Sequence, residues 1–393
     1  MDKNLITGYF DYNATTPISE SVAEQMMSSL TLFCNASSSN SAAQKGKSLI
    51  SSARTNVSEM LGCSPEQIFF TSGGSEANNW AIKGCLLPHG ASPGHVISTT
   101  IEHPSVLSTL EYLANSFGFD ITYLNPRQDG AIAIEDVRSA LRSDTQLISV
   151  MYANNETGVI QPVEEISTLA QDRNIKFHTD CVQIIGKKSI NLHKLGADFA
   201  SFSAHKFYGP KGIGGLYIKS PETLEPLIHG GGQEMGLRAG TENLLAIAGL
   251  AQASKDCVEE VTKWDTHYKE CKHHLIKRLN ASPFNVLFNG STSPDKCVSN
   301  TINFSIDGVR GEALSAFLDK KYGIVVSIGS ACSNNKSKKL SHVLKSMGYS
   351  DERIQGALRV SFGRYTTKEN IDHFVDRLEQ CALKLLDVSM MDA

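Results

Sequence analysis

From about residue 75 to 205 the chain repeats one pattern, in which short apolar, β-rich runs alternate with stretches of helical spacing. The runs are QIFFTS, HVISTT, DITYL, TQLISVMYA, IKFHTD and DFASFSA. Alternation of this kind predicts an α/β fold, a mostly parallel sheet covered by helices. Upstream, a helix is predicted to begin at Ser19, with Val22, Met26 and Leu30 at a four-residue spacing on one face. Downstream, 256–280 reads as a long polar helix bridging two domains, in which Val261, Tyr268 and Leu275 recur every seven residues beside Trp264 and Cys271. VSNTINFSI, GIVVSIGSAC, ALRVSFG and a terminal helix near 368–386 then form a mixed set suited to a smaller α+β domain. No internal repeat or low-complexity tract interrupts it.

Length supports the division, because 393 residues exceed what one hydrophobic core usually serves. Composition is that of a soluble globular protein, 41% hydrophobic and 20% charged, and a net charge of −4 gives no footprint for nucleic acid. A small substrate is expected. Nine scattered cysteines without a CxxC pair support neither a disulfide framework nor a zinc site, so a reducing, cytoplasmic setting fits best. The opening MDKNLITGYFDYN lacks a basic leader, and no segment is long and charge-free enough to span a bilayer. No membrane partner is expected.

Three sites could carry chemistry. FFTSGGSEANNWAIKG reads as strand, Gly and Ser turn, then a helix starting near Ser75 or Glu76. Free N–H groups there, with the Ser72 and Ser75 hydroxyls, offer a seat for a phosphate, although an ordinary strand-to-helix turn has the same look. The motif matches neither a P-loop nor GxGxxG. Asp180 stands at the carboxyl end of NIKFHTD, the end at which open α/β sheets bind ligands. A carboxylate there either caps the next helix or holds a proton on a heteroaromatic nitrogen. Lys206 closes a strand 26 residues later, among Ser203, His205 and the Gly209 and Pro210 turn. It is either a solvated surface lysine or a partly desolvated amine freed to form an imine. GPKGIGG fails as a dinucleotide loop because GLYI after it reads as strand. In the order phosphate turn, Asp, Lys, these features describe a pyridoxal phosphate site.

Ordered motifs over nearly the whole chain, TSGGSEANN, EHPSVL, ANNETGVIQP, HTDCVQ, SFSAHKFYGPKGIGGLY, HGGGQE, RAGTEN, GSACS and ALRVSFGRYTT, make it resemble cysteine desulfurases of the NifS/IscS type. The resemblance implies a pyridoxal 5′-phosphate enzyme of fold type I with a seven-stranded type of sheet. It also implies a homodimer, and conversion of L-cysteine to alanine with transfer of the sulfur. Lys206 matches the imine-forming lysine and Asp180 the partner of the pyridine nitrogen. His103 matches the histidine that stacks on the ring and serves as acid or base, and Gln183 the residue bonded to the ring hydroxyl. Gly74, Ser75, Ser203 and His205 match phosphate contacts, with Thr241 expected to reach the phosphate across a dimer interface. Arg359, aided by Asn155, matches the clamp on the substrate carboxylate, a task that suits a planar guanidinium.

Cys332 in GSACSNNKSKKLSHVL matches the persulfide-forming residue, with Lys336, Lys338 and Lys339 placed to favour its thiolate. The other eight cysteines read as packing residues. The resemblance implies a large cofactor-binding domain over 16–255, and a small domain over 1–15 and 256–393 that carries the cysteine loop. The chain departs from the family's usual residues at Asn13, Asn40, Met235 and Ile328, most of which the resemblance puts around the active-site mouth. The resemblance also implies a protein acceptor for the sulfur, of open identity, since relatives of this family serve iron–sulfur assembly, tRNA thiolation and DNA phosphorothioation alike. The competing expectations are a selenocysteine lyase, a small-substrate aminotransferase, and a silent homologue acting only in assembly.

Overall fold

The computed structural model of the chain describes residues 7–88, 92–328 and 340–391. Among these, seven strands form the larger sheet: β1 (Ile68–Thr71), β2 (His95–Thr99), β3 (Asp120–Leu124), β4 (Thr145–Ser149), β5 (Lys176–Asp180), β6 (Phe199–Ser203) and β7 (Gly214–Ile218). Their spatial order is β1-β7-β6-β5-β4-β2-β3. The five from β2 to β6 run parallel, and β7 runs antiparallel to both β6 and β1. The expected sheet is therefore present. β1, β2, β6 and β7 are buried along their whole length, which is why their sequences are continuous apolar or small runs rather than alternating ones. β3, at the edge, is mostly open to solvent.

Ser19 does start a helix: its Oγ accepts from the Val22 N–H at the head of Glu20–Ser28. The predicted stripe stops short, however. Ser29 closes the helix by donating to the Met26 and Met27 carbonyls, so Leu30 lies beyond it and is 65% exposed. The long helix begins at Leu244, earlier than expected, and runs 37 residues to Asn280. Its first part, LLAIAGLAQA, is almost entirely buried against the helices Glu20–Ser28 and Gln44–Leu61. A segment that is apolar all round shows no amphipathic stripe, so its helical character was hidden.

β8 (Val286–Phe288), β9 (Thr301–Ile306) and β10 (Ala357–Ser361) form a second, antiparallel sheet in the order β10-β9-β8. GIVVSIGSAC, expected as a strand, is not one within the described residues. Val325 bridges in parallel to Tyr9 and Ser327 antiparallel to Arg359, and this change of partner prevents a continuous ladder. Tyr9 and Asp11, the latter bridging to Ser361, lay the amino-terminal segment along this sheet. The terminal helix, Lys368–Met391, packs Phe374 on Phe10 with ring centroids 4.9 Å apart. One contiguous cluster of buried apolar side chains joins Phe177 and Phe202 of the larger sheet to Phe304 of the smaller sheet and Phe374 of the terminal helix.

Candidate active site

The turn after β1 is shaped by its glycines. Gly73 adopts φ 155° and ψ −176°, a region open essentially to glycine alone. At Gly74 a Cβ would sit 2.8 Å from Val182 Cγ2, so any larger residue at the start of the helix Gly74–Leu86 would force Val182 or the helix start to shift. The free N–H groups of that start face a cavity of about 480 Å³. Gly74, Ser75, Ser203 and His205, the four expected phosphate contacts, all line it, as do Thr15 and Lys211. Glu76, in the first helical turn, would oppose an anion, but Arg238 Nε bonds its carboxylate at 2.8 Å and offsets the charge. Burial of His205, with Lys206, Lys187 and Lys211 nearby, holds its imidazole down to about 4, so it is neutral at pH 7.

Asp180 ends β5 at the sheet's carboxyl edge and is buried. Both of its carboxylate oxygens accept hydrogen bonds. Oδ1 caps the following turn by accepting from the Val182 N–H at 2.9 Å, while Oδ2 accepts from Asn78 Nδ2 at 2.7 Å. The same Asn78 Nδ2 lies 2.9 Å from Ser105 Oγ, which is 2.8 Å from His103 Nδ1. Nδ1 also accepts from the Ser105 N–H at 3.1 Å, as His103 caps the helix Pro104–Phe117. With Nδ1 accepting, the neutral ring carries its proton on Nε2. Burial lowers the His103 pKa, with Asp180 opposing and Lys206 and His342 adding to the fall. Asn78 thus links the two residues expected to flank the cofactor ring. It lies within TSGGSEANN, yet nothing in the spacing of that motif marks it.

Lys206 sits in a single turn, Ala204–Lys206, just past the end of β6, and not in the strand itself. Its Nζ donates to the carbonyls of Asn13 at 2.7 Å and Ala14 at 2.8 Å, and Ala14 lines the cavity. Gln183 Nε2 donates to the same Asn13 oxygen at 3.1 Å. Amine, Gln183 and anion seat therefore meet on one stretch of the amino-terminal segment. Asn13 is more than a backbone acceptor. Its Nδ2 donates to Thr301 Oγ1 at 2.8 Å and to the Asn155 carbonyl at 3.1 Å, and its Oδ1 accepts from Asn300 Nδ2.

Arg359, on β10, is buried beside this segment. One terminal nitrogen donates to the Asn155 carbonyl at 3.0 Å and the other pairs with Asp11. Arg359 Nε is buried and, among the described residues, has no hydrogen-bond partner. Asp11 was not singled out from the sequence. Cys332, Lys336, Lys338 and Lys339 lie outside the described residues. Burial pushes the thiols of Cys63, Cys85 and Cys257 up to about 12 and that of Cys271 up to about 11, which makes them poor nucleophiles. Thr241 is exposed and does not line the cavity.

Of the four departures, Asn13 is the one that touches the site. Asn40 caps the short turn Ser41–Ala43, and Met235 lines a separate hollow with Ala36, Lys47 and Arg54. Ile328 is half-buried against the core.

A family model for class-V aminotransferases matches residues 8–374, and the chain belongs to that family, whose cofactor is pyridoxal 5′-phosphate. The residues present fit this group: a glycine-shaped helix start for its phosphate, a buried carboxylate at the sheet edge for its ring nitrogen, and an amine bonded to the cavity wall at Ala14. Cysteine desulfurase IscS of Clostridium botulinum (strain Hall) is 43% identical over 371 residues, covering 94% of this chain and 93% of the relative. A solved NifS-like protein superposes with a TM-score of 0.87 at 37% identity, covering 95% of this chain and 98% of its own. SspA in complex with cysteine superposes at 0.81 and 37% identity, covering 92% and 100%. Within the class-V family the chain sits with the cysteine desulfurases.

Proposed function

We propose that this chain takes sulfur from L-cysteine, leaving L-alanine and a persulfide on Cys332 for a protein acceptor. The observation that carries the reading is the meeting of Lys206 Nζ with Ala14, in the wall of the cavity that the Gly74 helix start also lines. The bound cofactor supplies an electron sink for the substrate carbon skeleton. When it is bound, Asp180 would hold the proton of its ring nitrogen, Gln183 would bond its ring hydroxyl, and Gly74, Ser75, Ser203 and His205 would hold its phosphate. Arg359, set against the Asn155 carbonyl, takes the substrate carboxylate. Lys206 removes the Cα proton, and His103 serves as the neighbouring acid or base. The Cys332 thiolate attacks the substrate sulfur. The C–S bond breaks, the sulfur stays on Cys332, and protonation of the carbon gives alanine, so atoms and electrons balance without a further oxidant.

The test uses the purified protein: a yellow Lys206-bound cofactor, and alanine and sulfide formed from L-cysteine with a reductant. A C332S variant should keep its colour and lose sulfide release, and normal turnover in that variant refutes the assignment. A yellow protein without sulfide indicates an aminotransferase, and selenocysteine supplied in competition separates a selenocysteine lyase.

The IscS name of the relatives points to iron–sulfur assembly as the destination of the sulfur. Capture of acceptors on the persulfidated protein tests that against tRNA thiolation and DNA phosphorothioation. A homodimer is supported by the exposure of Thr241 and by the open apolar side chains of Met27, Leu30 and Phe33. The division into 16–255 against 1–15 with 256–393 is supported by the two sheets and by the lie of Tyr9 and Asp11 on the second. A cytoplasmic setting is supported by eight free cysteines among the described residues.

A further inference from the structure

Lys187, on the turn that follows β5, has no part in the chemistry above. It is 3% exposed, and among the described residues it forms no ion pair. Its Nζ bonds Gln183 Oε1 at 3.5 Å and the backbone carbonyl of Lys206 at 3.4 Å. A buried amine without a carboxylate is expensive to charge. Burial first, then the nearby charge of Lys206, holds Lys187 down to about 7, with Cys257 opposing. A neutral amine has two N–H donors, and two acceptors are present.

These bonds close a ring. Lys206 Nζ and Gln183 Nε2 both donate to the Asn13 carbonyl, while Lys187 joins the other end of Gln183 to the backbone of Lys206. The orientation of a glutamine amide is set by what its two ends meet. Lys187 offers donors, so Oε1 turns toward it and Nε2 must face Asn13.

We infer that Lys187 is a positioning residue for the Lys206 site: it fixes which end of the Gln183 amide faces the cofactor and braces the turn that carries Lys206. The inference rests on the reading of Lys206 as the cofactor's anchor. The titratable groups around this ring are His205, which feels both lysines, His103, which feels Lys206, and Cys257 on the long helix.

The experiment titrates the visible absorption of the Lys206-bound cofactor against pH in the holoenzyme, and measures cofactor affinity by dialysis of the apoprotein. K187M keeps the length of the side chain and removes the donors. It should weaken affinity about three- to tenfold, the worth of one or two net hydrogen bonds, and displace the pH midpoint. Q183L should do the same, and the double variant should fall short of the sum of the two, because part of the Lys187 effect passes through Gln183. K187R adds a permanent charge beside Lys206, disfavours the protonated linkage and should lower the midpoint, which keeps the test open if K187M does not fold. Wild-type spectra, midpoint and affinity in K187M, an unmoved midpoint in K187R, or additive effects of K187M and Q183L would overturn the inference. A wild-type protein with no visible band would instead remove the Lys206 reading beneath it.

Discussion

Asn78 offers the sharpest test of how the site is held, because one amide nitrogen bonds both Asp180 at 2.7 Å and Ser105 at 2.9 Å. The other end, Oδ1, is buried and without a partner among the described residues. An amide flipped the other way would set its oxygen against a carboxylate, so the observed orientation is enforced by charge even though it leaves Oδ1 unpaired. An N78A variant removes a donor to a buried charged acceptor, worth about 1.5–3 kcal/mol. If Asp180 must stay in place to bind the ring nitrogen, that loss appears as a cofactor affinity lowered by about ten- to a hundredfold. S105A breaks the link to His103 but leaves Asn78 on Asp180, so its effect should be several times smaller. Apoprotein is titrated with pyridoxal phosphate and the bound fraction read from visible absorption, with urea unfolding in parallel to separate affinity from stability. Wild-type affinity in N78A, within a factor of two, would show that Asp180 needs no brace and that the reasoning from its hydrogen bonds is wrong.

Other perturbations read other parts of the argument. G74A sets a methyl 2.8 Å from Val182 Cγ2, so the helix start must shift and phosphate affinity should fall; inorganic phosphate competing against the cofactor measures it. Burial pushes Glu102, beside His103, up to about 8 from 4.5. Between those values the folded state keeps a proton that the unfolded state releases, so stability falls as pH rises through this window and is unaffected below it. E102Q, neutral throughout, should gain on the wild type from about pH 4.5 to 8 in urea midpoints and show a flat difference below. His178, held down to about 4 by burial, gives the opposite slope: the protein loses stability as pH falls from 6.5 toward 4, and an H178Q variant should lose that acid limb. W80A empties a fully buried site edge-on to Phe69 and strands the Glu225 carbonyl, at a cost of about 3–5 kcal/mol in urea unfolding.

Much of this was legible in one dimension. Five of the six apolar runs are strands buried enough to need continuous apolar character, DITYL is the more open edge strand, and Asp180 and Lys206 stand out because they lie at or just past the ends of such runs. Failure came where a residue's role depends on what folds against it. GIVVSIGSAC has the composition of a strand, but Val325 and Ser327 find different neighbours and no ladder forms. The first part of the long helix was invisible because burial on every side erased its periodicity. Asn78, Asp11 and Lys187 were missed because their partners lie far away in sequence or are backbone carbonyls, which carry no side-chain signature. Asn13 was noticed as a departure from the family, yet its contacts with β9, Asn155 and Lys206 appear only in the folded chain.

The amino-terminal segment explains why so many separate pieces must be right at once. Residues 9–16 bridge to Val325 and Ser361 of the smaller unit, and the Thr16 N–H and the Tyr208 N–H tie them to the turn around Lys206. Asn13 then lies between Lys206 and Arg359: its carbonyl receives the amine, while its amide shares the Asn155 oxygen with the guanidinium. The proposed covalent anchor and the proposed substrate clamp thus rest on one peptide, and a displacement of that peptide moves both together. That coupling suits a reaction in which the Cα proton must stand in front of Lys206 when the carboxylate is seated on Arg359, since misalignment of about an ångström between such groups costs on the order of a hundredfold in rate. It also accounts for the placement of a buried asparagine at position 13: an alanine there would keep the carbonyl for Lys206 but release the bonds to Thr301, Asn300 and Asn155 that hold that carbonyl still.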